Sequence, residues 1–184
     1  MIRKTDRRTV RTRAALLTAF RELTLTRGYE SVAVGDIIRR AGVGRSTFYL
    51  HFPNKQTLLR HSLEFPCARL LACLDSDVPP ESLVPLLEHF REQRALNRVF
   101  FEEPIRSIWI RRLAAMIERQ LPRQAAGVAS LPRGLRALMI AEMQIGLVTH
   151  WVRGSGSARP ESIAHALSES TQVLLASTHA LIPR

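Results

Sequence analysis

Apolar side chains recur at three- and four-residue spacings along most of this 184-residue chain, and glycine and proline break the pattern at intervals. Such a period buries one face of a helix, whereas a strand needs strict alternation. The expected fold is therefore all-α, with about nine helices. From Ala14 to Leu25 the inner face is Leu16, Leu17, Phe20, Leu23 and Thr24, in a helix that begins between Thr9 and Thr12. Arg27 gives it a basic last turn, and Gly28 suits the left-handed position just beyond. Val34 to Ala41 is a second, short helix with Val34, Ile37, Ile38 and Ala41 inward, and Gly42 allows a sharp turn. Gly44 to Phe52 is a third helix of barely two turns. Its Phe48 and Phe52, four apart, both face inward and leave Arg45, Ser46, Tyr49 and Leu50 toward solvent. Pro53 ends it, and Asn54 is a good N-cap for a longer helix from Lys55. Two short helices joined by a glycine turn and packed on a longer one make a helix-turn-helix.

The charge distribution bears on what such a unit meets. Lys and Arg number 27 against 16 Asp and Glu, a net charge of +11. Residues 1–65 hold 13 basic against 5 acidic groups, +8, while the remaining 119 hold 14 against 11, +3. An excess so concentrated points to a local anionic partner. A membrane-surface helix needs its cations along one long polar face. Here they fall in short segments separated by glycines, which favours nucleic acid; dimerisation doubles the +8. Lys55 sits at a helix N-terminus, where the dipole disfavours a cation, and a bound phosphate would reconcile the two.

Other classes are disfavoured. With 46% hydrophobic and 23% charged residues the chain is expected to fold, and its length needs neither disulfide nor metal. Cys67 and Cys73, six apart in what reads as one helix, stand about 9 Å apart, beyond the roughly 7 Å reach of a disulfide. They read as small buried apolar residues. No apolar run approaches the roughly 20 residues of a membrane span, and the basic N-terminus lacks an apolar signal core, so a cytoplasmic location is expected. Phosphate-loop, dinucleotide, zinc-protease and nucleophile-elbow motifs are absent, and the histidines lack metal-ligand spacing. No enzyme, cofactor or metal is expected. Gly154-Ser155-Gly156-Ser157 reads as a helix connector.

Gly28-Tyr29-Glu30, Val34-Gly35-Asp36-Ile37-Ile38 and the run from Ala41 through Thr47-Phe48-Tyr49, His51-Phe52 and Lys55 resemble the DNA-binding domain of the TetR family of bacterial transcriptional regulators. The resemblance covers about residues 10 to 60. It implies that the third helix enters the major groove of an operator, with Arg45, Ser46 and Leu50 reaching base edges: Arg45 toward guanine, Leu50 toward a thymine methyl. Thr47, Tyr49, His51 and Lys55 match positions that clamp phosphates, and Gly44 caps the helix. Tyr49 can alternatively pack half-buried, and His51 can merely cap. Two residues depart from the pattern: Ala33 lacks the hydroxyl usual before the second helix, and Gly44 replaces a Ser. Arg3, Lys4, Arg7 and Arg8 form an N-terminal arm able to compensate.

Residues 1–54 then form the DNA-binding domain and 55–184 a helical ligand-sensing and dimerisation domain, with helix 55–75 joining them. Pro79, Pro80, Pro104, Pro122, Pro132 and the Gly-Ser stretch punctuate helices at about 55–75, 81–95, 97–103, 105–121, 133–153 and 161–181. Pro66 is expected to kink the first of these. The resemblance assigns a homodimer to the last two helices, which combine large residues (Leu135, Met139, Leu147, Ile163, Leu167, Leu174) with small ones (Gly146, Ala164, Ser177). A pocket between the middle helices would be lined by Phe90, Phe101, Trp109, Met116 and Met143, with His89, Gln144 and His150 as polar orienters. Glu142, in the most apolar part of its helix, pairs with an Arg, faces solvent at the dimer edge or attracts a cationic ligand. The function implied is a dimeric repressor released by a small apolar or amphipathic effector. An activator, or a helical interaction protein with a decayed DNA surface, is the alternative.

Overall fold

The computed structural model describes residues 4–94, 98–122, 131–154 and 157–180, with side chains at 4–6 and 177–180 left aside. Its elements are α1 (Lys4–Arg27), α2 (Val34–Ala41), α3 (Arg45–His51), α4 (Lys55–Ser62), α5 (Glu64–Leu71), α6 (Val84–Glu92), α7 (Ile105–Gln120), α8 (Arg133–Val152) and α9 (Pro160–Ala180). Short 3₁₀ turns at Ala72–Leu74, Pro80–Leu83 and Arg98–Phe101 complete them, and no strand occurs among the described residues. The fold is all-α; among the described residues the α-helices number nine, or eight if α4 and α5, separated by Leu63 alone, are joined. Among the described residues no helix is long and apolar enough to cross a membrane.

The elements fall into two compact units, Met1–Leu63 and Glu64–Arg184. The first thus extends nine residues past the expected boundary at 54, because α4 buries Leu58 and Leu59 in its core. That core joins Leu16, Phe20 and Leu23 of α1 to Ile37 of α2, Phe48 of α3, Phe52 and the connector residues Tyr29 and Val32. In the second, α7 and α8 pack along their length, α5 lies on α7, and α9 covers α6 and two 3₁₀ turns.

Several boundaries differ from expectation. α1 begins at Lys4, not between Thr9 and Thr12. Its first turns contain no Gly or Pro, and Lys and Arg propagate helix well. Lys4, Arg7 and Arg8 therefore belong to a helix and do not form a free arm; Arg3 lies outside the described residues. The expected helix 55–75 is broken at Leu63, three residues before Pro66. The proline has no N–H to donate to Ser62 and its ring crowds that carbonyl, so the interruption falls on the N-terminal side. Residues 98–101 form a 3₁₀ turn in place of a helix at 97–103, and Ser155 and Gly156 lie outside the described residues.

Cys67 on α5 and Cys73 in the 3₁₀ turn after it are both buried and unbridged. Burial, opposed by Trp109 and Arg112 and slightly aided by Glu64, pushes the Cys67 thiol up to about 12, and burial pushes Cys73 to about 11. At pH 8 the thiolate fractions are then on the order of 10⁻⁴ and 10⁻³, and the thiolate is the reactive form. A thiol reagent at pH 8 should leave both unmodified in the folded chain and label both in denaturant; rapid labelling of either without denaturant would contradict their burial. Because both folded values exceed the unfolded one, this contribution to stability is full below about pH 9 and fades as pH rises toward 11–12.

Candidate nucleic-acid interface

The short α3 owes its place to the turn before it and the rings beneath it. Gly42 closes α2 in the left-handed conformation (φ 65°, ψ 34°), its N–H reaching the Arg39 carbonyl at 3.3 Å. A side chain at that φ is strained, which is why glycine stands there. Gly44 is the extended N-cap of α3 and supplies no side-chain acceptor. Phe48 is wholly buried, its ring 5.3 Å from Tyr49 and 6.3 Å from Phe52, and the Phe52 N–H closes the helix on the Phe48 carbonyl at 2.8 Å. Rotation of α3 is thereby fixed.

The opposite face is open. Arg45, Ser46, Tyr49 and Leu50 are exposed, Leu50 by 82% and Tyr49 by 44%, while Thr47, His51 and Lys55 are half-buried. Tyr49 is thus a surface ring. The Arg45 guanidinium lies 5.8 Å from its centroid, an i,i+4 contact that restrains a long side chain without neutralising it. Among the described residues Arg45 forms no ion pair, and the exposed Leu50 shares its face. His51 is the last residue of α3, its ring tilted on Phe52.

Lys55 follows the Asn54 cap, whose side chain accepts the Thr57 N–H at 2.8 Å. Its ammonium donates to the Tyr29 carbonyl at 2.8 Å and to that of Glu30 at 3.5 Å, and stands 4.2 Å from the Tyr29 ring. Carbonyls and ring therefore offset the unfavourable helix terminus within the unit itself. Burial raises the Tyr29 hydroxyl above its ordinary range, Glu30 adding to this and Arg60 opposing it.

At α2, Ala33 caps through its backbone only, and the Asp36 carboxylate accepts the Ala33 N–H at 3.3 Å. Asp36 also bonds Arg39 and lies 4.0 Å from Arg27. Arg40 pairs with Glu22 at 2.7 Å. Leu23, Arg27, Asp36, Arg39 and Arg40 line an open cleft of about 310 Å³. The sequence reading missed this group; the signal was Asp36 three residues from both Ala33 and Arg39. Part of the +8 is thus taken up by internal pairs, whereas Arg45 forms none among the described residues.

The residues proposed for a pocket do not converge. Phe101 and Trp109 stack at 4.9 Å, and Phe90 meets both edge-on at 5.4 and 6.0 Å, filling space with one another. Gln144 is buried, its amide donating to Thr171 at 2.9 Å and to the Leu70 carbonyl at 3.4 Å. His89, Met116 and Met143 are half-buried, whereas Glu142 and His150 are exposed on α8. Glu142 pairs with Arg106 at 3.0 Å, the first of its three expected situations. Ile163, Ala164 and Leu167 are buried inside the chain and so unavailable to a partner; Leu135 and Met139 are exposed. The Ser177 side chain lies outside the described residues.

Residues 16–61 match the family of bacterial regulatory proteins named for tetR. An uncharacterized HTH-type transcriptional regulator of Bacillus subtilis (strain 168), YxbF, is 40% identical over 67 residues, which is 36% of this chain and 18% of that protein. The chain thus spans under a fifth of that relative's length. A TetR-family regulator from Streptomyces coelicolor A3 shares the fold with a TM-score of 0.63 at 22% identity, over 91% of this chain and 96% of that one. A TetR transcriptional regulator from Streptococcus agalactiae 2603V does so at 0.58 and 22%, over 91% and 97%.

Proposed function

As a member of the TetR family of bacterial regulatory proteins, this chain is, we propose, a sequence-specific DNA-binding repressor that works as a homodimer in the cytoplasm. The observation that carries the reading is the divided surface of α3: Phe48 anchors it while Arg45, Ser46, Tyr49 and Leu50 project away from the core. Two helices so presented, related by twofold symmetry, read major grooves about 34–36 Å apart on a near-palindromic operator. Thr47, His51 and Lys55 flank that face and take phosphate contacts, and Gly44 brings the backbone N–H groups of the first turn close to the same strand. The dimer is supported by α8 and α9, which expose Leu135, Leu138, Met139 and Val173 on an otherwise folded surface. Release by a small apolar or amphipathic effector completes the reading. Phe90, Phe101 and Trp109 pack on one another, so an effector would have to part this cluster, and half-buried His89, whose ring lies 6.3 Å from Phe90, is the residue beside it from which entry would start.

Selection of bound duplexes from a random pool tests the core of this. A palindrome with half-sites one helical turn apart is expected, and recovery of random sequence would remove the proposal. The residue roles separate further. Arg45→Ala should relax preference at one base pair per half-site at a cost of about 1–3 kcal/mol. Lys55→Ala should weaken specific and random duplexes alike and flatten the salt dependence. It should also lower thermal stability, since the Tyr29 carbonyl and ring lose their cation. Equal losses on both duplexes for both variants would show the roles to be wrongly assigned.

A further inference from the structure

At the C-terminal end of α8, its last turn, residues 157 and 158 ahead of α9 and the end of α6 line a partly open cavity of about 130 Å³. Its walls are Arg91, Arg94, Trp151, Val152, Ser157 and Ala158. Two guanidiniums and one hydroxyl face it with no carboxylate among the lining residues. The Trp151 indole N–H is already committed to the Ala158 carbonyl at 2.9 Å.

Arg94 is built into place. Its Nε approaches the Val152 carbonyl at 3.4 Å, and its guanidinium lies where a side chain at Gly154 would stand, 2.8 Å from a Cβ there. Gly154 has φ 90°, so its backbone and this close approach both call for glycine. Arg98 covers the next carbonyl, that of Arg153, at 3.1 Å. The Arg91 side chain has no hydrogen bond or ion pair among the described residues. The end of a helix contributes about half a negative charge, against two full positive charges in the cavity wall, so the cavity stays cationic.

Size narrows the occupant. At roughly 30 Å³ per water the space holds about four waters, well below the roughly 300 Å³ at which drug-sized ligands begin. A tetrahedral oxyanion fits it, and planar guanidinium forks match such oxygens two at a time. We propose that this cavity binds a small oxyanion of the phosphate or sulfate class, free or as the terminal group of a phosphomonoester whose remainder stays in solvent. Arg91 and Arg94 grip the anion, Ser157 donates a third hydrogen bond, and Trp151 and Val152 wall it off. The site is separate from the α3 surface and does not depend on it.

The test is calorimetric titration of the full chain with sodium phosphate, and separately with phenyl phosphate, against chloride at matched ionic strength. Saturable binding of one anion per chain is expected, weakened about tenfold by Arg91→Ala and also weakened by Ser157→Ala. Arg45→Ala, on the other anion-attracting surface, should leave it unchanged. Binding of the ester but not of inorganic phosphate keeps the site and assigns the anion to a larger molecule. The proposal fails if no saturable binding appears, or if binding survives Arg91→Ala and Ser157→Ala and is lost in Arg45→Ala.

Discussion

A chain carrying Leu135→Glu together with Met139→Glu is expected to remain folded, become monomeric and lose at least 10³-fold in operator affinity. Leu135 is 51% and Met139 37% exposed on one chain, so neither belongs to its core. Folding stability should move by no more than about 0.5 kcal/mol. In the proposed twofold dimer each substitution would occur twice, placing four carboxylates among the exposed apolar residues of α8 and α9. An unpaired buried charge costs several kcal/mol, and about 5.5 kcal/mol already raises a dissociation constant 10⁴-fold. A monomer meets one half-site only and forfeits the margin of roughly 10³–10⁷ that separates specific from non-specific binding. Sedimentation equilibrium and duplex anisotropy on the same samples check both parts. A variant that is still dimeric would move the interface elsewhere; a monomer with undiminished operator affinity would remove the two-half-site reading.

The α3 surface could be read from sequence because it depends on local rules. Phe48 and Phe52 are one helical turn apart, glycine and proline mark the ends, and what faces outward follows from what faces inward. The extent of α7, α8 and α9 followed for the same reason, with ends within a residue or two of expectation. The failures lie where contacts cross between elements. Arg40 meets Glu22 across eighteen residues, and no periodicity reports which arginines will be neutralised in that way. Periodicity likewise placed Ile163, Ala164 and Leu167 on an apolar face without saying whether that face meets the chain's own core or a second copy. The proposed pocket set mixed both sides of α8: Gln144 turns to Thr171 while Glu142, two positions earlier, pairs outward with Arg106. Residues two apart on a helix do not share a face, and residue type alone had grouped them. Lys55 was assigned by its helix terminus, yet its nearest acceptor is a carbonyl twenty-six residues back.

Phe48→Ala should cost about 3–5 kcal/mol and abolish specific and random DNA binding together. The ring is wholly buried, touches Tyr49 and Phe52, and holds a helix of seven residues that is far too short to persist without tertiary support. Against a typical total of 5–15 kcal/mol, that loss removes much of the first unit's stability. Leu50→Ala is the contrast: 82% exposed, it should leave denaturant stability within about 0.5 kcal/mol while weakening only duplexes that present a thymine methyl. Phe48→Leu, which keeps most of the buried volume, should recover most of the stability and with it most of the DNA binding. Denaturant titration with hydrogen exchange over residues 34–52 distinguishes melting of this unit from loss of a contact. If Phe48→Ala unfolds no more easily than the parent yet fails to bind DNA, Phe48 is itself a contact and the orientation of α3 is wrong. If stability falls and binding survives, DNA is met by another surface, and the exposed Arg45, Tyr49 and Leu50 must be explained by a different partner.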